Sequence, residues 1–276
     1  MFRFLHAADI HLDSPLRGLE RYEDAPVVEV REAPRRALEN LVDLAIDESV
    51  AFVLIAGDLY DGDWRDYHTG IFFAAQMRRL EKAGIPAVIV AGNHDAASQL
   101  TKSLRLPPGV VKLSAQSPET FELPEIGVAI HGQSFATRSV TRDLAADYPV
   151  GQPGRFDIGL LHTSLDGRPL HDDYAPSRLD TLRSKAYQYW ALGHVHAREE
   201  VCRDPWVVYP GNLQGRHVRE TGSKGCTLVT VEDGEVLRVE HRALDVVRWA
   251  VVEVDVSGAR SGDETLDRVR RALEEA

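Results

Sequence analysis

Five short apolar runs in this chain each stop at a polar cluster, and that repeated pattern constrains the fold more than any other feature. Residues 2–8 precede Asp9-Ile10-His11, and residues 51–56 precede Gly57-Asp58. Residues 85–91 lead into Gly92-Asn93-His94-Asp95, 158–161 into His162, and 187–192 into Gly193-His194-Val195-His196. Continuous β-rich runs of this length read as strands buried on both faces. Helical spacing separates the first three. Leu38, Leu41, Val42, Ala45 and Ile46 fall three and four residues apart, and Pro34 suits a helix start. Phe72, Phe73, Gln76, Met77 and Leu80 give a second helix, stopped by Gly84. Strand, helix, strand, helix, strand implies parallel α/β units, whose ligands gather at the carboxyl ends of the strands. The polar clusters sit at those ends.

The second half of the chain changes character. Segments 206–210, 225–232, 235–242 and 247–256 read as strands joined by tight turns such as Asp233-Gly234. They predict an antiparallel sheet packed on the first, hence a sandwich with outer helices. Residues 261–275 form an amphipathic helix with Leu266, Val269 and Leu273 on one side. The stretches 16–32 and 134–155 read as long irregular loops.

At 276 residues the chain can bury a core without disulfides. Its two isolated cysteines, Cys202 and Cys226, fit a reducing cytoplasm. The N-terminus lacks the basic and apolar regions of a signal peptide, and no apolar run approaches bilayer length, so a cytoplasmic protein without a membrane partner is expected. The formal net charge of -11 argues mildly against a nucleic-acid partner, although two bound divalent cations would reduce the deficit.

The polar clusters have the chemistry of a metal site. Asp9 and His11 lie two residues apart at a strand end, where period-two geometry points both side chains the same way. His194 and His196 repeat that spacing. Asp58 offers two oxygens able to bridge two cations, Asn93 an amide oxygen, and His162 an imidazole. Nitrogen and oxygen donors without thiolate suit Mn, Fe, Zn or Mg. Gly57, Gly92 and Gly193 each precede one of these residues, where a missing side chain permits close approach. Taken singly, an Asp after a strand reads as a turn or cap, and histidines such as His6, His68 and His241 read as structural or solvated. The signal lies in the joint occurrence, in one order, each cluster after a strand.

These motifs resemble the calcineurin-like metallophosphoesterase superfamily over about residues 1–245, which implies an α/β fold, a four-layered αββα sandwich. The resemblance implies one metal held by Asp9, His11, Asp58 and His196. It implies a second held by Asp58, Asn93, His162 and His194, with Asp58 bridging. His94 would then be the non-ligand histidine at the scissile phosphate, with Asp61 as its partner. Two divalent ions, manganese foremost, would neutralise an anionic diester and make a water nucleophilic near neutral pH.

Three stretches narrow the resemblance. Phe4-Leu5-His6-Ala7-Ala8-Asp9-Ile10-His11-Leu12-Asp13 and Ala56-Gly57-Asp58-Leu59-Tyr60-Asp61 are similar to SbcD-type DNA-repair exonucleases. Tyr209-Pro210-Gly211-Asn212-Leu213-Gln214-Gly215-Arg216-His217, with Glu220-Thr221-Gly222-Ser223-Lys224-Gly225-Cys226, is similar to the YhaO-like branch. That implies exonucleolytic hydrolysis of DNA, with DNA, an SMC-type ATPase and a second copy of the chain as partners. Asp61 departs from archaeal and eukaryotic members, which carry histidine there. Family members continue into a DNA-binding capping domain, so residues 246–276 are expected to be its first strand and helix.

Read physically, residues 210–225 are a glycine-rich loop whose Arg216, His217, Arg219 and Lys224 either contact a phosphate chain or are solvated charges on a connector. Trp64 and Tyr67 either stack on a base or pack at a loop base. Two other functions stay open: a small-substrate phosphodiesterase or phosphatase with the same centre, and a weakly catalytic subunit that docks DNA ends or an ATPase.

Overall fold

Strands apolar on both faces need a layer on either side. The computed structural model, which describes residues 1–14, 27–61, 67–97, 106–166 and 174–275, supplies both. Strands β1 (Phe2–Ala7), β2 (Phe52–Ala56) and β3 (Ala87–Val90) pair in parallel, and β4 (Val110–Lys112) joins β3. Successive residues of β2 and β3 face opposite ways. Val53, Ile55, Ala87 and Ile89 meet Ala37, Leu38 and Leu41 of helix α1 (Val27–Asp47) and Phe73, Met77 and Leu80 of α2 (Tyr67–Lys82). Phe52, Leu54, Val88 and Val90 face a second sheet, where they meet Ile130, Ile158, Leu160, Tyr189 and Val208.

That second sheet contains β5 (Glu119–Leu123), β6 (Val128–Gly132), β7 (Phe156–His162), β8 (Tyr189–Gly193), β9 (Glu199–Arg203) and β10 (Trp206–Tyr209) in the order β5-β6-β7-β8-β10-β9. Its centre is parallel and its two edges are antiparallel. The outer face, with Trp190 and Leu192, is covered by Leu144, Ala145, Tyr148 and Leu182, the last from the short helix α4 (Leu179–Ser184). The short helix α3 (Asn93–Ala97) follows β3 directly. The α/β sandwich of two sheets between outer helical layers is therefore the observed fold.

Several local expectations are corrected. Of the late strands, only β10 lies in the second sheet. Strand β11 (Gly225–Glu232) pairs antiparallel with β1, and β12 (Glu235–Ala243) with β11, which extends the first sheet to the order β12-β11-β1-β2-β3-β4. The open edge of β1 gives β11 a buried partner that periodicity alone does not locate. Pro34 lies inside α1, which already begins at Val27, so the part of the expected loop from 27 to 32 is helical. Residues 16–26 of that loop lie outside the described residues.

Segment 247–256 forms no strand. Trp249 makes one bridge to Thr221 and donates its indole N–H to the Gly215 carbonyl, while Val251 stays exposed. Without a continuous partner edge, apolar alternation does not make a strand. Helix α5 (Gly262–Glu274) is capped by Ser261, whose hydroxyl accepts from the Glu264 N–H, and none of its residues is buried. Cys202 and Cys226 are free thiols. Among the described residues, no helix is long and apolar enough to cross a membrane.

Candidate metal centre

The carboxyl ends of β1, β2 and β3 from one sheet and of β7 and β8 from the other meet at one edge of the sandwich. The first two loops run side by side past their strands: Asp9 N–H donates to Gly57 O at 3.1 Å and His11 N–H to Asp58 O at 3.0 Å. Period-two geometry does not explain why Asp9 and His11 converge, because β1 ends at Ala7. Asp9, His11, Asp58 and His194 instead have φ of 49°, 44°, 50° and 105°. Left-handed backbone is unfavourable for such residues, and its concentration here follows the tendency of strain to collect at functional sites.

Three overlapping groups place one donor atom from each member within 4.8 Å of the others: Asp9, His11 and His196; His11, Asp58 and His94; Asp9, Asp58 and His162. His11 Nε2 lies 3.3 Å from His196 Nε2 and 3.8 Å from Asp58 Oδ2. His162 Nε2 lies 2.9 Å from Asn93 Oδ1 and 3.5 Å from Asp58 Oδ2, while its Nδ1 bonds the Ala56 carbonyl at 2.9 Å. His194 gives its backbone N–H to Asp9 Oδ2 at 3.0 Å, and its ring sits edge-on to His162 and Tyr174. The structure thus brings together all seven residues expected as ligands.

Their electrostatics fit divalent cations. Asp9 and Asp58 are raised above the ordinary carboxylate range, both chiefly by burial, with Asp58 adding to the rise at Asp9. His11 and His162 are lowered, first by burial; the Arg216 charge adds to the effect at His11, whereas the Ala56 hydrogen bond opposes it at His162. Buried carboxylates and neutral imidazoles with converging lone pairs are the donor set of an oxygen and nitrogen metal site. Two ring nitrogens facing each other across 3.3 Å fit the same reading.

Close approach depends on glycine. A Cβ on Gly92 would lie 2.3 Å from Asp58 Oδ1, and one on Gly193 would lie 1.9 Å from the Ala56 carbonyl oxygen of the opposite sheet.

His94 and Asp61 form the polar rim. His94 N–H donates to Asp58 Oδ1 at 3.0 Å and its Nδ1 lies 2.9 Å from Asp61 Oδ1. Asp61 Oδ2 accepts from Ser14 Oγ at 2.6 Å and from Arg216 Nη1 at 3.4 Å. Burial pushes Asp61 up, but the bonds from His94 and Ser14 and the Arg216 charge outweigh it, leaving the carboxyl well below its usual range. The bond to Asp61 raises His94 against the opposing effect of burial.

The other residues singled out in the sequence diverge in setting. Arg216 reaches the centre through Asp61. His217 is exposed and its Nε2 lies 3.4 Å from Glu220 Oε1. Lys224 places its ammonium on the His196 carbonyl at 3.0 Å. Tyr67 is exposed, and Trp64 lies outside the described residues. His6 is buried between Tyr189 Oη and the Leu192 carbonyl, a structural histidine as expected.

Sequence reasoning assigned no role to Ser14, Asp95 or Glu220. Asp95 accepts from Tyr60 N–H at 3.1 Å and Gly92 N–H at 3.0 Å, stapling the loop after β2 to the loop after β3. Its place in Gly92-Asn93-His94-Asp95 was the available signal. Glu220 bonds His196 Nδ1 at 2.6 Å.

Comparison with known proteins agrees with this geometry. The model of the calcineurin-like phosphoesterase family matches residues 2–198. The chain is 36% identical over 262 residues to the metallophosphoesterase YhaO of Bacillus subtilis, covering 94% of this chain but only 64% of that relative's length. It is 25% identical over 273 residues to the DNA double-strand break repair protein Mre11 of Sulfurisphaera tokodaii, covering 94% of this chain and 67% of the relative. A crystal structure of a dimetal phosphatase from Danio rerio shares the fold, with a TM-score of 0.53 and 14% identity over 87% of this chain and 99% of that one. With five strand-end loops converging on one nitrogen and oxygen donor set, this chain belongs to the calcineurin-like phosphoesterase family.

Proposed function

We propose that this chain hydrolyses phosphodiester bonds in DNA, as a metal-dependent repair exonuclease. Asp9, His11, Asp58 and His196 would hold one divalent cation, and Asp58, Asn93, His162 and His194 the second, with manganese the leading candidate. Bound there, such a pair would offset the charge of the diester and lower the pKa of the attacking water.

The observation that carries the reading is the setting of His94. Its backbone N–H is fixed on Asp58 and its Nδ1 on Asp61, which leaves Nε2 without a protein hydrogen bond among the described residues. The side chain is 28% exposed, whereas those of His11 and His162 are fully closed. A histidine held this way can present a proton to a leaving oxygen, as general acid catalysis requires. Asp61 stabilises the protonated ring, and Arg216 beside it supplies positive charge suited to a phosphate oxygen.

DNA is supported as substrate by the relative named for double-strand break repair and by the glycine-rich loop that carries Arg216 to the rim. The net charge of -11 favours a second reading, a phosphodiesterase of small substrates with the same centre. Mn²⁺-dependent cleavage of end-labelled single- and double-stranded DNA, run beside a chromogenic phosphodiester and a chelator control, separates the two. The proposal expects both substrate classes to be cut. Turnover of the chromogenic ester alone would move the assignment to the small-substrate reading. Metal binding without cleavage of either would overturn hydrolysis and leave a docking role.

A further inference from the structure

His196 and His162 are both expected to offer a ring nitrogen to a cation, yet their other nitrogens are held differently. His162 Nδ1 rests on a neutral backbone carbonyl, that of Ala56. His196 Nδ1 rests on a carboxylate, Glu220 Oε1 at 2.6 Å. Neutral imidazole carries one N–H, so a partner that accepts it at Nδ1 leaves the lone pair at Nε2. An anionic partner also makes that lone pair more basic than a carbonyl does.

Glu220 itself is built in rather than resting on the surface. Its side chain is 7% exposed, and its second oxygen accepts from Arg216 N–H at 2.6 Å and Asn212 Nδ2 at 2.9 Å. The turn closes on itself through Glu220 N–H to His217 O at 2.9 Å. Asn212 in turn bridges to Ala8, the residue before Asp9, and Lys224 ties the far end of the loop to the His196 carbonyl. The loop therefore spans from the Asp9 strand end to His196, with Glu220 at its centre.

We propose that Glu220 is a positioning residue for one half of the metal centre: it fixes the Nδ1–H form and ring orientation of His196, so that Nε2 faces Asp9 and His11. The proposal rests on the metal-dependent reading above and adds that the two cation sites are unequally supported, one by a carboxylate and the other by a backbone carbonyl. Outer partners of ligating histidines typically change metal affinity by about 10- to 100-fold when removed.

Titration of the metal-free chain with Mn²⁺ by calorimetry, for wild type and Glu220→Gln, tests this directly. The glutamine keeps the size of the side chain but loses the charge, and its amide meets the donors of Arg216 and Asn212. The expected result is one site weakened about 10- to 100-fold and the other within about twofold of wild type. Two unchanged sites would overturn the proposal. So would both sites weakening together with a drop in the melting temperature of the metal-free chain, which would mark Glu220 as a general scaffold residue.

If Glu220→Gln fails to fold, imidazole ¹⁵N spectra of the metal-free wild type at pH 8 decide. An Nδ1–H signal for His196 supports the assignment, and an Nε2–H signal overturns it. A wild-type chain that binds no Mn²⁺ would overturn the proposed function itself, a result distinct from failure at Glu220.

Discussion

Replacing Gly92 with alanine should damage the metal centre out of proportion to the size of a methyl group. Gly92 does not occupy left-handed backbone, so the effect is one of space rather than conformational freedom. The added Cβ would lie 2.3 Å from Asp58 Oδ1, 2.9 Å from Asp58 N and 2.9 Å from His162 Cε1. Ordinary contact needs about 3.5 Å, so the carboxylate must retreat by roughly 1 Å. That oxygen accepts the His94 N–H at 3.0 Å, and the retreat breaks or lengthens this bond.

A hydrogen bond to a charged group is worth about 1.5–3 kcal/mol, and overpacking adds about 1–3 kcal/mol. Displacing a reacting geometry by about 1 Å costs on the order of 10²-fold in rate. Gly92→Ala should therefore bind Mn²⁺ more weakly, unfold at lower urea and lose about 10²-fold in turnover of a chromogenic phosphodiester. Gly262→Ala is the control: nothing lies within 4 Å of its Cβ, and it starts a helix. Calorimetry, urea melts and initial rates on both variants read the effect. A Gly92→Ala chain within twofold of wild type in metal affinity and turnover would refute the steric argument.

Asp61→Asn keeps an acceptor for His94 Nδ1 but removes its charge, so turnover should fall roughly 10- to 100-fold at unchanged Mn²⁺ affinity; equal loss of metal binding would show that Asp61 acts on the ligands instead. His6 makes a separate pH prediction. Burial lowers its pKa from 6.5 to about 3, so the folded state binds this proton less readily than the unfolded one. Its stabilising contribution is thus full above pH 6.5 and is lost as pH falls toward 3. Between pH 7 and pH 5 the loss is about 2 kcal/mol. Urea melts of metal-free wild type and His6→Gln should differ in acid sensitivity by that amount, and identical acid sensitivity would contradict it.

The centre was legible in the sequence because its residues follow strands whose own burial is written in unbroken apolar runs. Asp58 after 52–56 and Asn93 and His94 after 87–90 need only the rule that ligands collect at strand ends. The reason Asp9 and His11 converge was not legible, since left-handed φ at non-glycine residues is imposed by tertiary contacts such as His11 N–H to Asp58 O. The place of β11 beside β1 was hidden for a related reason. Alternation reports that a strand exists and which faces it has, while partner choice depends on a free edge more than two hundred residues away. Glu220 illustrates the same limit at the site: 24 residues separate it from His196, and a lone acid in a glycine-rich turn carries no local signature of a histidine partner. Trp249 shows the converse, an apolar alternation that ends in one bridge and an indole hydrogen bond instead of a strand.

The central claim is that this cluster turns bound cations and His94 to phosphodiester hydrolysis. It is tested most directly by adding Mn²⁺ stepwise to the metal-free chain while following a chromogenic phosphodiester, in wild type and His94→Gln. The account predicts no turnover without metal and saturation at two Mn²⁺ per chain. His94→Gln should bind the same two ions, with turnover lower by about 10²- to 10⁴-fold. Metal-independent turnover, saturation at a single ion, or a His94→Gln chain as active as wild type would contradict it.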